Sequence, residues 1–539
     1  MKKLLAKLLA IVLVIALAVP GVGASAKSIK VGKADYTGKT IILHSNDVHG
    51  ALDGYTYIAG MKSYYESLGA EVILVDCGDF SQGTTYVSIS KGKNAVTVMN
   101  KAGYDIATLG NHEFDYGWAQ LKKNLKKAKF KVVCADVFDA NGKTIYDANT
   151  VWTTKSGVKI GFFGLETPET QTKVNPGLIQ GLKFVQGEEM YKVAQAQVDE
   201  LKEKSDIIIC LAHLGVDDES KAAGNRSIDM VANTTGIDLV LDGHSHTVMT
   251  AGDGGESIQS TGTKFAYVGR VIIDDATKAI ESHDLIPVTE FTPVSKAVTK
   301  TANKVIKKID TTYGATFAKS EVELNGDKAP GNRTEETNNG DLITDAILWS
   351  VSKVDNGITV DKDHIVAITN GGGIRAKIAA GDIAMKDINT VLPFGNTVAV
   401  VYVKGSELLE ALEASTYCTP EAIGGFPQIA GMKITLDTTK EFAQGDQYPE
   451  STYYAPKKIQ RVTIDEINGK KFKADDVYAV VTNNFCAAGG DTYYVFKNAS
   501  SQFDTGIVMD EAVVEYIQTV LGGVIGSKYA APQGRITIK

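Results

Sequence analysis

Thr40-Ile41-Ile42-Leu43-His44-Ser45-Asn46-Asp47-Val48-His49-Gly50 runs without a break from an apolar, β-branched stretch into carboxylate and imidazole side chains. A short apolar run closed by a glycine turn reads as a buried strand. Similar runs follow at 71–76, 105–108, 131–135, 158–164, 206–212 and 238–241. Amphipathic stretches such as 57–68 and 190–203 lie between them, so the chain from 40 to about 286 reads as layered α/β, its sheet buried between helices.

Beyond that half the pattern changes. Residues 294–317 are rich in Lys, Ala and Val at helical spacing, which predicts an interdomain helix running into a short link near 319–325. A second α/β region follows, with a helix over 339–353 and strands at 365–369, 398–403, 432–436 and 477–482. Its glycine clusters, Gly371-Gly372-Gly373 and Gly489-Gly490, stand just after strands. A chain of 539 residues exceeds what one core supports, so at least two domains are expected.

The N-terminus carries Lys2, Lys3 and Lys7, an apolar run over 8–19 and the small-residue sequence Ala24-Ser25-Ala26. This predicts a signal peptide over 1–26, cleaved after Ala26, and a secreted product, extracellular or associated with the cell wall. No second apolar stretch of spanning length follows, so no stable membrane insertion is expected after cleavage. A net charge of −8 argues against a nucleic-acid polymer as partner. An anionic substrate then needs local positive charge from arginines or metal ions. The odd count of 5 cysteines, without paired spacing, reads as buried free thiols rather than a disulfide framework.

Nearly every strand of the first half ends in metal-ligand residue types. After Asp47 and His49 come Cys77-Gly78-Asp79, Gly110-Asn111-His112-Glu113-Phe114-Asp115, Ala212-His213 and Asp242-Gly243-His244-Ser245-His246. Five of the 8 histidines fall in these segments; His44, ahead of the first pair, is expected to face the core. Loops at the carboxyl ends of strands are where α/β folds place their sites. Asp47 and His49, two apart in extended chain, project to the same side and can clasp one ion. Asp79 can bridge two cations through its two oxygens, and an Asn111 amide oxygen with the His213 and His244 imidazoles can complete a second ion. Mixed nitrogen and oxygen ligation favours zinc, manganese or cobalt over calcium or magnesium.

In D-x-H, G-D, G-N-H-E-x-D, A-H-x-G and G-H-S-x the chain resembles the calcineurin-like metallophosphoesterases, and its second half narrows the resemblance to the 5′-nucleotidase family, which includes vertebrate ecto-5′-nucleotidase and bacterial periplasmic UDP-sugar hydrolase. The resemblance runs from about Lys39 to the C-terminus. It implies a four-layer αββα sandwich over 38–292, a linker helix and hinge over 293–325, and a second α/β, α+β-like substrate-binding domain over 326–539. It also implies two divalent metal ions: Asp47, His49 and Asp79 would hold the first, and Asp79, Asn111, His213 and His244 the second. His246 stands where relatives carry Gln or Asn, a departure that bears on metal preference. His112 and Asp115 would form the catalytic dyad, with Asp115 orienting the ring and His112 donating to the phosphoryl oxygens or the leaving group. Paired ions about 3.5–4 Å apart lower the pKa of a water, so that hydroxide attacks phosphorus in line with the leaving alkoxide.

The same resemblance assigns the substrate readers. Arg333 matches a phosphate-contacting arginine, while Ala329 stands where a further arginine occurs in the periplasmic relative. Asn370-Gly371-Gly372-Gly373-Ile374-Arg375 is the second family motif: Asn370 and Gly372 lie close to the ligand, and Arg375 offers phosphate a bidentate fork. Phe394 and Phe485 match the pair between which the family stacks the nucleobase, and Asp491 matches a residue accepting from ribose hydroxyls. The expected activity is removal of phosphate from nucleoside 5′-monophosphates, with UDP-sugars or other nucleotides as further substrates. Two readings compete: a 2′,3′-cyclic nucleotide 2′-phosphodiesterase with 3′-nucleotidase activity, and a non-catalytic surface protein that binds nucleotides.

Overall fold

Strand Lys39–Ser45 sends Ile41 and Leu43 to one side and Ile42 to the other; its parallel neighbour Glu71–Asp76 divides Val72 and Leu74 from Ile73 and Val75 in the same way. Both faces of this sheet are therefore apolar, and each must be covered. On one face lie helices Tyr55–Ser67 and Lys93–Ala102, whose Ile58, Met61, Val96 and Met99 join the cluster of Ile41 and Leu43. The other face meets a second sheet, where Ile160, Phe162, Ile207, Ile209 and Leu211 share a core with Ile42 and Ile73. That second sheet turns Phe163, Ile208 and Cys210 outward, against Met190, Ala194, Val198 and Leu201 of helix Glu188–Leu201. The result is the expected αββα stack.

The computed structural model describes residues 34–539, apart from 222, 292 and 353–357. The signal peptide expected over 1–26 lies outside the described residues. Among the described residues no helix is long and apolar enough to cross a membrane.

The first sheet has six strands in the order Ala279–Pro287, Tyr267–Asp274, Lys39–Ser45, Glu71–Asp76, Ile106–Ala107 and Lys131–Val132. The second, also of six, runs Val248–Met249, Ile258–Thr261, Leu239–Leu241, Ile207–His213, Lys159–Glu166 and Asn149–Thr153. The central strands of each are parallel, so their carboxyl ends open on one edge. Cys77, Cys134, Cys210 and Cys486 are buried free thiols, and Cys418 is partly exposed.

Helix Lys296–Tyr313 packs Val298 and Ala302 into the first domain's core and ends at Gly314. The link expected near 319–325 is not free chain. Strand Thr316–Ser320 pairs with Gly381–Ala384 and Val524–Ile525, and Leu324 bridges to Ile378, so the segment belongs to the second domain's framework. Ala318 and Ser320 lie inside and Thr316 and Lys319 outside, an alternation broken by the register shift between Thr316 and Ala318, so the short segment does not read as a strand from its residues alone.

The second domain is built on a five-stranded mixed sheet, ordered Pro427–Ala430, Ile365–Asn370, Val477–Asn483, Thr397–Lys404 and Ser501–Val508. Val398 and Val400 face helices Asn338–Val351 and Met509–Thr519. Ala399, Val401 and Val403 face helix Gly405–Ala414 and a three-stranded sheet containing Met432–Leu436.

Candidate active site

The candidate ligands sit where the strands of both sheets run out. Asp47 and His49 follow Lys39–Ser45, Asp79 follows Glu71–Asp76, Asn111 and His112 follow Ile106–Ala107, His213 closes Ile207–His213, and His244 and His246 follow Leu239–Leu241. Five of them turn back through the left-handed region: Asp47 (φ 49°), His49 (45°), Asp79 (63°), His244 (73°) and His246 (60°). That conformation is uncommon for residues with a Cβ, and strain of this kind gathers at functional sites. Gly110 is required by proximity, because a Cβ there would lie 2.4 Å from Asp79 Oδ1 and 2.7 Å from His213 Nε2.

Hydrogen bonding fixes what each ring presents. His49 Nδ1 donates to the Gln82 carbonyl (3.3 Å), so its Nε2 offers a lone pair, which faces His246 Nε2 at 3.0 Å. The same nitrogen lies 3.8 Å from Asp47 Oδ1 and 3.7 Å from Asp79 Oδ2. His213 Nδ1 donates to the Cys77 carbonyl (2.6 Å), turning a buried Nε2 without a hydrogen bond toward Asp79 Oδ2 at 3.1 Å. His244 Nε2 donates to Glu169 (3.0 Å), which leaves its Nδ1 opposite Asn111 Oδ1 at 3.0 Å. At His213 and His244 an acceptor looks at an acceptor across a hydrogen-bond distance, and between the Nε2 atoms of His49 and His246 there is room for one proton or a cation. Such pairs need a proton or a cation between them. Burial holds His49 and His246 well below the usual imidazole range, so both are neutral bases rather than proton carriers. The residues present therefore fit divalent ions bound by nitrogen and oxygen. Ligand atoms of Asp47, His49 and His246 lie within 4.8 Å of one another, as do those of Asp47, Asp79 and His213.

The loops bearing these groups are tied by carboxylates. Glu113 accepts the backbone N–H groups of Asp79 (2.7 Å), Phe80 (3.0 Å), Ser81 (2.9 Å) and Gly110 (2.8 Å), clamping the second and third strand tips together. Asp242 accepts from the Leu214, Gly215 and Gly243 amides at 3.0, 3.2 and 2.9 Å. Glu169 orients His244 and accepts the Ser220 hydroxyl. Glu113→Ala leaves four buried donors without a partner. It is expected to weaken metal affinity by about 10- to 100-fold, read by zinc titration against a chelator; an unaltered affinity would show that the clamp is dispensable.

His112 Nδ1 meets Asp115 Oδ2 at 2.7 Å, and the His112 backbone N–H donates to Asp79 Oδ1 at 2.9 Å. Its Nε2 points to Arg375 at 3.4 Å, and Phe394 lies along its ring at 5.6 Å between centroids and 28° between planes. Burial, then the neighbouring Arg333, lowers Arg375 to about 10, so the guanidinium stays charged at neutral pH. His44 does face the core: it bonds Gln259 at 3.1 Å, and burial drops it to about 4.

Above these groups a cavity of about 510 Å³ opens between the two halves of the chain. Arg333, Asn370, Gly372, Arg375, Phe394, Phe485 and Asp491 line it from the second domain, and Asp79, Asn111, His112, Asp115, His244 and His246 from the first. Asp491 takes a bond from Asn370 (2.7 Å), and its N–H donates to the Thr172 carbonyl across the interface (2.7 Å). Lys173 pairs with Glu219 and lies 3.7 Å from Asp491, while Tyr417 donates to the Glu219 carbonyl at 2.6 Å. Glu113 and Asp242 stood inside quoted motifs without a role, and Glu169, Lys173 and Glu219 were not singled out. A carboxylate that gathers amides or balances a buried lysine is indistinguishable by residue type from a surface acid.

Comparison with known proteins agrees with this construction. Residues 40–248 match the calcineurin-like phosphoesterase family and residues 315–498 the 5′-nucleotidase C-terminal domain. The chain is 28% identical to the 5′-nucleotidase of Vibrio cholerae, over 94% of this chain and 95% of that one. It is also 28% identical over 92% of its length to the trifunctional nucleotide phosphoesterase protein YfkN of Bacillus subtilis, of whose length it spans 34%. The solved 5′-nucleotidase precursor of Thermus thermophilus superposes with a TM-score of 0.77 at 27% identity, covering 93% of this chain and 99% of that one. Calcineurin-like phosphoesterases use a dinuclear divalent metal site, and the grouped side chains described above are candidates for it. The chain belongs to the 5′-nucleotidase family and is a metal-dependent hydrolase of phosphoric esters of nucleotides.

Proposed function

We propose that the protein removes phosphate from nucleoside 5′-monophosphates outside the cell, after cleavage of a signal peptide at Ala26. One observation carries this reading: lone-pair donors that call for cations lie at the floor of a cavity whose opposite wall carries two guanidinium groups, two phenylalanines and a buried aspartate. In this reading Asp47, His49, His246 and a shared Asp79 hold one divalent ion, and Asp79, Asn111, His213 and His244 hold the other. When bound, the ions would neutralise phosphoryl oxygens and lower the pKa of a water beside phosphorus.

The chain's own residues do the rest. Arg333 and Arg375 draw in the non-bridging oxygens as planar forks. Asp115 fixes the His112 ring through Nδ1, so that Nε2 can carry a proton to the ester oxygen as it departs. Phe394 and Phe485 offer apolar faces to a base of any identity, which predicts broad base tolerance. Asp491, held by Asn370, presents an acceptor to the ribose hydroxyls. Because these readers stand on one domain and the candidate ligands on the other, turnover requires the two to meet, and a rotation about the Gly314 end of the linker helix would separate them.

The test is a panel of AMP, 3′-AMP, 2′,3′-cyclic AMP and UDP-glucose with zinc, manganese and cobalt. Preference for AMP by at least about 100-fold in kcat/KM over 3′-AMP is expected, since a missed contact with buried polar groups costs several kcal/mol. Equal rates on 3′-AMP and the cyclic nucleotide would favour a second reading, a phosphoesterase of several nucleotide specificities, for which the likeness to the trifunctional relative speaks.

A further inference from the structure

A second cavity, of about 150 Å³, shares His246, Lys328, Arg333 and Arg375 with the main one but touches none of Phe394, Phe485 or Asp491. Its remaining walls include His49, Thr263 and Lys264, and no aspartate or glutamate lines it. In a chain of net charge −8, a chamber walled by two arginines, two lysines and no acid is a marked local reversal of sign.

The cations are largely uncommitted. Among the described residues, neither the Arg333 guanidinium nor the Lys264 ammonium has a hydrogen bond or ion pair; Arg375 has only His112 at 3.4 Å, and Lys328 pairs with Asp217 at 3.0 Å. Lys264 is exposed, so the chamber reaches solvent beside it. Size limits the occupant. Ligand sites for drug-sized molecules run from about 300 Å³, and a water takes about 30 Å³. The space suits a small, multiply charged oxyanion with a few waters and excludes a nucleoside.

We propose that this chamber is a binding site for inorganic phosphate and the route by which that product leaves. The inference rests on the phosphohydrolase reading above. Hydrolysis joins a water oxygen to phosphorus and breaks the ester bond, and the nucleoside oxygen leaves with a proton. Phosphate is then freed at the floor of the main cavity while the nucleoside still occupies the space beside Phe394 and Phe485. Arg333 and Arg375 face both cavities, so they can pass the anion sideways toward Lys264 without the nucleoside having to depart first.

The experiment measures inorganic phosphate binding by titration calorimetry on the full chain, metal-loaded and chelator-stripped, and phosphate inhibition of AMP hydrolysis. The comparison set is wild type, Lys264→Ala, Lys264→Glu and the surface control Lys202→Glu. Stripped wild type is expected to bind phosphate saturably, with Lys264→Glu weakening it at least about tenfold, as loss of one charge-assisted contact implies. Lys264→Glu should raise the phosphate inhibition constant by a similar factor and leave inhibition by adenosine and the KM for AMP in place, with Lys202→Glu resembling wild type. Phosphate binding and inhibition that are the same in Lys264→Glu as in wild type, or a stripped protein that takes up no phosphate, would overturn the proposal. Intact, Lys264-dependent phosphate binding in a protein that hydrolyses no nucleotide would instead sink the activity and leave the site standing.

Discussion

Asp79→Ala is expected to reduce nucleotide hydrolysis on the order of 10⁴-fold or more and to cut bound metal well below the wild-type content. The Asp79 carboxylate faces residues of both candidate ion positions. Its Oδ2 lies 3.1 Å from His213 Nε2 and 3.7 Å from His49 Nε2, and its Oδ1 accepts the His112 N–H at 2.9 Å. Removing it takes a ligand from both candidate ion positions and frees the His112 backbone N–H. Ions that supply several kcal/mol of charge stabilisation are then lost together. Asp79→Asn separates charge from shape: it keeps one neutral oxygen but cannot balance two cations, so metal content should still fall. Metal analysis of purified protein and kcat on AMP provide the check. A variant retaining wild-type metal content would mean that Asp79 is not shared between ions.

His112→Asn should lower kcat by about 10²- to 10⁴-fold, the range that positioned proton transfer supplies, with metal content unchanged. The expected split follows from geometry. The imidazole sits at the cavity wall on Asp115, and its ring nitrogens are engaged by Asp115 and Arg375. Asn keeps a polar side chain in that place but carries no exchangeable proton of suitable pKa. The deficit should shrink on substrates with good leaving groups such as p-nitrophenyl phosphate, because an oxygen that departs as a stable anion needs little protonation. An equal loss on both substrates would assign His112 to phosphoryl binding instead. Loss of metal would assign it to the ion site, a role its grouping with His49 and Asp79 allows.

The strand-tip residues were legible because few side-chain types bind transition metals, and because their recurrence after successive apolar runs is itself a pattern. The central strands were legible for a related reason: Glu71–Asp76 and Ile207–His213 are buried on both faces and read as unbroken apolar runs. The edges were not. Tyr267–Asp274 and Ala279–Pro287 pair antiparallel at the margin of the first sheet, where exposure on one side admits polar residues. Ser501–Val508, an edge strand of the second domain, is mostly polar and partly exposed. Thr316–Ser320 was hidden in the same way.

Within the site, the candidate residues for touching an ion or a ligand announced themselves by type, whereas those that act on the backbone did not. Glu113 does its work on four amides, three of them more than thirty residues away in sequence. Lys173, Glu219 and Tyr417 acquire a role only when the two domains face each other, and Glu169 only when its loop meets His244. None of those distances is written in local pattern.

The most direct measurement is elemental analysis of the active protein together with its rate on AMP after exhaustive dialysis against a strong chelator. About two equivalents of zinc, manganese or cobalt per chain are expected, with hydrolysis abolished by chelation and restored by adding back one of these ions. A fully active protein without bound divalent metal, or a rate indifferent to the chelator, would contradict the account at its base.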